Sequence, residues 1–224
     1  VEQYRPRTVE EYVFTDADQR QQVESWIRDR SIPHLLLSGS AGTGKTTLAK
    51  ILINALEINE YDVMYANGSK EARKIEWVDK LINFCQTMPF GKFKVVLIDE
   101  ADYLTPNAQA ALRNLMETFS KTTRFVLTCN YVEKIIDPIQ SRCQVFGITP
   151  PSKKDVAIRI NSILQTEGVT AKPEDLVSII NSGYPDIRRI LNSCQRQVVN
   201  GELKIDKQSL IESNYVDKIV TLLS

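Results

Sequence analysis

The 224 residues carry 28 Lys+Arg against 28 Asp+Glu and 42% hydrophobic residues. That fits a globular chain with one large core, or one of about 150 residues plus a smaller one, and argues against strong general polyanion binding. Nucleic-acid contact would therefore come from a local patch or from several copies combined. Four scattered cysteines, Cys85, Cys129, Cys143 and Cys194, with no C-x-x-C pair, argue against a zinc site or disulfide framework and for reduced thiols in an intracellular protein.

No apolar run reaches membrane length and no signal-peptide pattern is present; the start at Val1 rather than Met leads us to expect a few further N-terminal residues. Tyr4-Arg5-Pro6, Val9, Val13 and Phe14, followed by Val23, Trp26 and Ile27 at helical spacing, predict an N-terminal arm packed on a core. Pro33 ends that helix. His34-Leu35-Leu36-Leu37-Ser38 then reads as a buried strand, and its histidine, the only one in the chain, as a packing residue.

The next stretch, Gly39-Ser40-Ala41-Gly42-Thr43-Gly44-Lys45-Thr46, fits G-x-x-x-x-G-K-[ST], and Thr47 with Leu48 to Leu52 continues it as a helix. A glycine loop lets backbone N–H groups wrap phosphates, and the helix beginning near Gly44 turns its positive end toward them. Lys45 supplies a point charge for the β- and γ-phosphates, and the Thr46 hydroxyl is placed as a Mg²⁺ ligand.

Tyr61 to Ala66 alternates like a strand, and a helix follows with Ile75, Val78, Leu81, Ile82 and Cys85 on one stripe. Lys70, Arg73 and Lys74 crowd its start; cations there oppose the helix dipole, so the cluster is a candidate contact for nucleic-acid phosphates as well as a solvated face. Phe93-Lys94-Val95-Val96-Leu97-Ile98-Asp99-Glu100 is a central parallel strand ending in two carboxylates at the ligand edge of an open α/β sheet. With the loop upstream, Asp99 reads as the second Mg²⁺ group, partly through water, and Glu100 as the residue that polarises an attacking water.

The strand inserted between the loop and Asp99 implies that their two strands are not neighbours in the sheet. Together with Glu100 it favours an ATP-driven machine over a small-molecule kinase. Thr105-Pro106 starts a helix carrying Leu112, Leu115, Met116 and Phe119. Arg124 to Asn130 is a fourth strand whose Asn130 is placed to orient water from the side opposite Glu100. Ile135 to Cys143 forms a short helix and Gln144 to Ile148 a fifth strand. Pro150-Pro151 marks a boundary, so we expect an α/β domain over 1–150 and a small all-α domain over 151–224. Three helices follow there, the third starting at Asp186 and carrying Ile187, Ile190, Leu191, Cys194 and Val198, with Arg188 and Arg189 at its start, and a last helical stretch covers Leu210 to Leu223.

These motifs together resemble the clamp-loader ATPases of the AAA+ group, the replication factor C small subunits and their T-even phage counterparts. Tyr4-Arg5-Pro6 is similar to the family's Y-R-P element beside the adenine, Asp99-Glu100-Ala101-Asp102 to its D-E-A-D box, and Ala111-Leu112-Arg113-Asn114-Leu115-Met116-Glu117 to its A-L-R-x-x-M-E helix. Cys129-Asn130 falls at sensor 1, Ser141-Arg142-Cys143 is the S-R-C motif, and Tyr184-Pro185-Asp186-Ile187-Arg188-Arg189 is similar to sensor 2, with Pro185 in place of the usual glycine.

The resemblance implies a P-loop AAA+ domain with a five-stranded parallel sheet and a helical lid. It implies an ATP hydrolase in which Lys45, Thr46, Asp99, Glu100, Asn130 and Arg188 serve the chain's own ATP and Mg²⁺, while Arg142 reaches into a neighbour's site. Its implied partners are other loader subunits, a ring-shaped sliding clamp and primer–template DNA, with Arg113 coupling DNA contact to Glu100. The compartment would be cytoplasmic for a phage or prokaryotic chain and nuclear for a eukaryotic one. A helicase loader, a branch-migration motor and a non-hydrolysing scaffold are the alternatives. Clamp-loader subunits continue into a helical collar domain, so a partial chain is expected here.

Overall fold

The structure, a computed structural model, describes residues 2–71 and 75–204. Arg73, Lys74 and the helical stretch expected over Leu210 to Leu223 lie outside the described residues. The described residues of 6–149 pack as one compact unit; residues 150–204, with 2–5, pack as a second.

In the first unit, Asp16 accepts a hydrogen bond from the Asp18 N–H and so caps α1 (Ala17–Arg28). Then follow β1 (Leu35–Ser38), α2 (Lys45–Ala55), β2 (Val63–Asn67), the single turn α3 (Gly68–Glu71) and α4 (Ile75–Gln86). Next are β3 (Lys94–Asp99), α5 (Pro106–Thr118), β4 (Thr123–Cys129), the short α6 (Asp137–Gln140) and β5 (Gln144–Gly147). Thr105 caps α5 by accepting from the Ala108 N–H at 3.3 Å, with Pro106 in the first turn where its missing N–H costs nothing.

All five strands are parallel, in the order β2-β3-β4-β1-β5. β4 therefore separates the loop strand β1 from β3, as the inserted strand implied. Successive residues of a strand face opposite sides, and the apolar runs are buried on both. Leu36, Val96, Ile98, Phe125 and Leu127 pack under α4 and α5 with Leu81, Leu112 and Met116. Leu35, Leu37, Val95, Leu97 and Val126 pack under α1 and α2 with Val23, Leu48, Ile51 and Leu52. A sheet covered on both faces is what continuous apolar strands require. The register sets Ile98 opposite Leu127 and Leu37 opposite Thr128, so the ends carrying Asp99, Asn130 and Gly39 emerge along one edge.

His34 lies at the other edge. Its Nδ1 accepts the Phe125 N–H at 3.1 Å, and burial followed by the nearby Arg124 lowers its pKa from 6.5 to about 4. The unfolded chain protonates this ring as pH falls through 6.5, whereas the native ring stays neutral to about 4. The stability tied to the neutral ring is thus complete above pH 6.5 and is lost progressively on acidification toward 4. Melting temperatures measured between pH 7 and 5 are expected to fall more steeply for the wild type than for His34→Gln; equal slopes would contradict this role.

In the second unit Ser152 caps α7 (Lys153–Thr166), Pro173 opens α8 (Pro173–Gly183), and Asp186 caps α9 (Ile187–Gln197), its carboxylate accepting the Arg189 N–H at 3.1 Å. Val156, Ile160, Leu164, Ile179, Ile180, Ile190 and Cys194 form its core. Tyr4, placed with the α/β domain in the sequence reading, has its carbonyl bonded by Arg159 at 3.4 Å within this unit.

The expectation of a purely helical part is corrected at its end. α9 stops at Gln197, and Val198 begins a two-stranded antiparallel hairpin, β6 (Val198–Val199) and β7 (Glu202–Leu203). Asn200 and Gly201, at φ 52° and 77°, form the turn between them. An Asn-Gly pair between apolar residues is a strong short-range hairpin signal, and Val198, the last residue of the expected helical stripe, is instead the first of β6.

Candidate nucleotide site

The loop between β1 and α2 is built from backbone that only glycine tolerates. A Cβ on Gly39 would lie 2.2 Å from the Ile148 carbonyl oxygen, and Gly42 and Gly44 take φ of 76° and 99°. Tyr12 packs beneath Gly44, where a Cβ would meet its ring at 3.1 Å. Thr43 Oγ1 donates to the Ser40 carbonyl at 2.9 Å, closing the loop on itself.

Lys45, the first residue of α2, is 8% exposed, and its ammonium donates to the carbonyls of Gly39 and Ser40 at 2.8 and 2.7 Å and to Asn130 Oδ1 at 2.9 Å. The sensor asparagine and the loop lysine are thus in direct contact although 85 residues apart. Thr46 Oγ1 donates to Asp99 Oδ1 at 2.7 Å, bringing the two candidate metal groups together. Thr47 is buried behind them, while Ser40 and Ala41 are exposed at the loop's tip.

Glu100 takes the left-handed conformation, φ 56° and ψ 46°. For a residue with a Cβ this costs about 1–2 kcal/mol, and such strain concentrates at functional sites. Its carbonyl lies against Gly68, where a Cβ would come within 2.3 Å, so the first residue after β2 must be glycine. The turn Ala101–Tyr103 then buries Asp102, whose Oδ2 accepts the Asn130 N–H at 3.3 Å.

An ammonium beside a glycine loop at a helix N-terminus, with a hydroxyl and a carboxylate in hydrogen-bond contact next to it, is the donor set that a phosphate chain with a divalent cation requires. The chain's own residues supply the donors and the carboxylate which that group needs.

Other predicted residues lie elsewhere. Arg142 precedes β5, whose first residue Gln144 pairs with Leu35, so it stands at the amino edge of the sheet. A strand of that length spans roughly 13 Å, which sets its guanidinium apart from the Lys45 edge. It donates to the Pro138 carbonyl at 2.6 Å, pairs with Glu117, and lines a cavity with Trp26, His34 and Arg124. Arg113 donates to its neighbour Asn114 at 2.8 Å. Lys70 is exposed in the single turn α3, whereas Arg73 and Lys74 lie outside the described residues. Tyr4, Arg5 and the exposed Arg188 belong to the second unit, and Pro6 to the first.

Two contributors escaped the sequence reading. Thr128 hydrogen-bonds Asp99, and Gly68 makes room for Glu100. The available signals were a hydroxyl directly after the apolar run Phe125-Val126-Leu127, two residues before Asn130, and a glycine directly after a strand.

Residues 35–150 match the model of the ATPase family associated with various cellular activities (AAA), and the chain belongs to that family. Its relatives narrow the likeness. It is 42% identical over 207 residues to a replication factor C small subunit of Archaeoglobus fulgidus, covering 91% of this chain and 65% of the relative. It is 41% identical over 213 residues to that of Aeropyrum pernix, covering 92% and 64%. The resemblance read from the motifs is borne out by these relatives, of whose length the chain spans somewhat less than two thirds. Among solved structures, the Thermotoga maritima RuvB Holliday junction branch migration motor superposes with a TM-score of 0.74 at 18% identity, covering 95% of this chain and 72% of that one, a likeness of fold alone.

Proposed function

We propose that this chain is an ATP-hydrolysing subunit of a sliding-clamp loader. The observation that carries the proposal is the pair of contacts Lys45–Asn130 and Thr46–Asp99, made by adjacent residues at the start of α2, in a chain whose relatives over nine-tenths of its length are replication factor C small subunits.

In this reading the Gly39–Thr47 loop wraps the triphosphate of ATP, and Lys45 exchanges its loop carbonyls for the β- and γ-phosphates. Bound Mg²⁺, held by Thr46 and through water by Asp99, would neutralise charge on the phosphates. Glu100 accepts the proton of the attacking water and Asn130 orients it. Tyr4, Arg5 and Pro6 are assigned to the adenine, and Arg188 to the phosphates, by the family motifs that they match. Arg142, set at the far edge of its own sheet, serves a neighbouring subunit.

ATP-bound subunits would open a ring-shaped clamp and grip primer–template DNA, with Lys70, Arg73, Lys74 and Arg113 as the phosphate contacts. Hydrolysis would release both. No described helix is long and apolar enough to cross a membrane, and the proposed work lies inside the cell.

Pull-down of the full-length assembly with a sliding clamp tests the partner. Retention with ATP and loss without it is expected, whereas equal retention in both conditions, or none in either, would point to another DNA-dependent motor or to a scaffold.

A further inference from the structure

We propose that the buried hydroxyl of Thr128 is a positioning group that sets the metal carboxylate and the water-activating residue relative to each other. The inference rests on the ATPase reading of the site and concerns a residue which that reading does not use.

β4 runs between β3, which ends in Asp99, and β1, which feeds the loop. A side chain at its carboxyl end is therefore flanked by both halves of the site. Thr128 is 1% exposed and lies on the same side of β4 as Val126, the side covered by α2. From there its Oγ1 donates to Asp99 Oδ1 and accepts the backbone N–H of Glu100 at 3.1 Å. Asp99 Oδ1 receives a second hydroxyl from Thr46 at 2.7 Å. One hydroxyl proton and one lone pair account for both Thr128 bonds, so its orientation is fixed by the pair of neighbours it joins.

Two consequences follow. The Glu100 N–H, turned inward by the left-handed backbone at that residue, finds its partner in Thr128 rather than in the sheet ladder. The strained backbone conformation of Glu100 is thereby anchored. At the same time the carboxylate oxygen shared with Thr46 is held at a fixed angle, which a side chain hydrated by bulk water would not keep.

Valine keeps the branching of threonine and removes the hydroxyl. In the full-length assembly, Thr128→Val is expected to lower kcat for ATP by about ten- to a hundredfold, the scale of a lost hydrogen bond to a charged group. KM for ATP should stay within about twofold, and the Mg²⁺ concentration at half-maximal rate should rise. Thr128→Ser should restore both kcat and the Mg²⁺ midpoint. A purely structural role would lower the melting temperature and leave the Mg²⁺ midpoint in place. If Thr128→Val does not fold, Thr128→Cys, with similar volume and a weaker donor, carries the same comparison. An unchanged kcat and Mg²⁺ midpoint in the valine variant, or a serine variant as impaired as valine, would overturn the inference while leaving the ATPase reading intact. A wild type with no ATP turnover would overturn that reading first and this inference with it.

Discussion

Glu100→Gln is expected to reduce ATP hydrolysis by the full-length assembly by about 10²- to 10⁴-fold, the range contributed by a positioned general base, with nucleotide affinity close to wild type. The amide preserves the size of the side chain and cannot take a proton from water. The backbone features that place residue 100 are its left-handed conformation, its N–H on Thr128 and its carbonyl against Gly68, none of which involves the carboxylate. The variant should therefore fold and bind as the wild type does. The phosphate loop and Lys45 are likewise untouched, so retained binding with lost turnover separates the chemical step from binding. A variant that hydrolyses at the wild-type rate would remove Glu100 from the mechanism.

The second large effect is expected at Arg142. An arginine supplied across an interface to a nucleotide site contributes about 10³-fold or more where such a group has been removed in other NTPases, and Arg142→Ala should cost the assembly an amount of that order. Its placement gives the prediction its particular form. Arg142 stands at the amino edge of the sheet, a strand's length from the Lys45 edge, and its guanidinium is partly exposed, held by Glu117 and the Pro138 carbonyl. It cannot reach its own loop, so loss of hydrolysis in Arg142→Ala should come with unchanged ATP affinity for the site on the same chain. Lysine should rescue poorly, since a point charge lacks the planar fork. Where copies of this chain adjoin, mixing Glu100→Gln with Arg142→Ala chains should restore part of the activity, because some interfaces then combine an intact Glu100 with an intact Arg142. No recovery, together with weakened ATP binding by Arg142→Ala, would place the arginine in its own site instead.

What could be read in advance divides along a physical line. Local signals sufficed for the loop, the two carboxylates and the α5 start, because glycine at positive φ, carboxylates after an apolar run and Thr-Pro at a helix entry each depend on neighbours within a few residues. The separation of β1 from β3 was legible from one inserted strand. Thr128 was not, since its significance lies in a β3–β4 register that no local pattern encodes. The left-handed turn at Glu100 was hidden for the same reason: the glycine that permits it, Gly68, sits on another strand's end, 32 positions upstream. Arg142 was named from a motif, but its distance from its own loop follows only from the parallel pairing of β5 with β1. The hairpin at Asn200-Gly201 is the opposite case, a local signal outweighed by an apolar stripe that ran into it.

A clamp-loader subunit differs from other ATPases of this family in that its nucleotide site answers to a clamp and to DNA. ATP hydrolysis by the full-length assembly, measured alone, with a sliding clamp, with primed DNA and with both, is the most direct measurement. The expected rate rises with each, is highest with both, and is abolished by Glu100→Gln. A rate indifferent to clamp and primed DNA would contradict the clamp-loader reading.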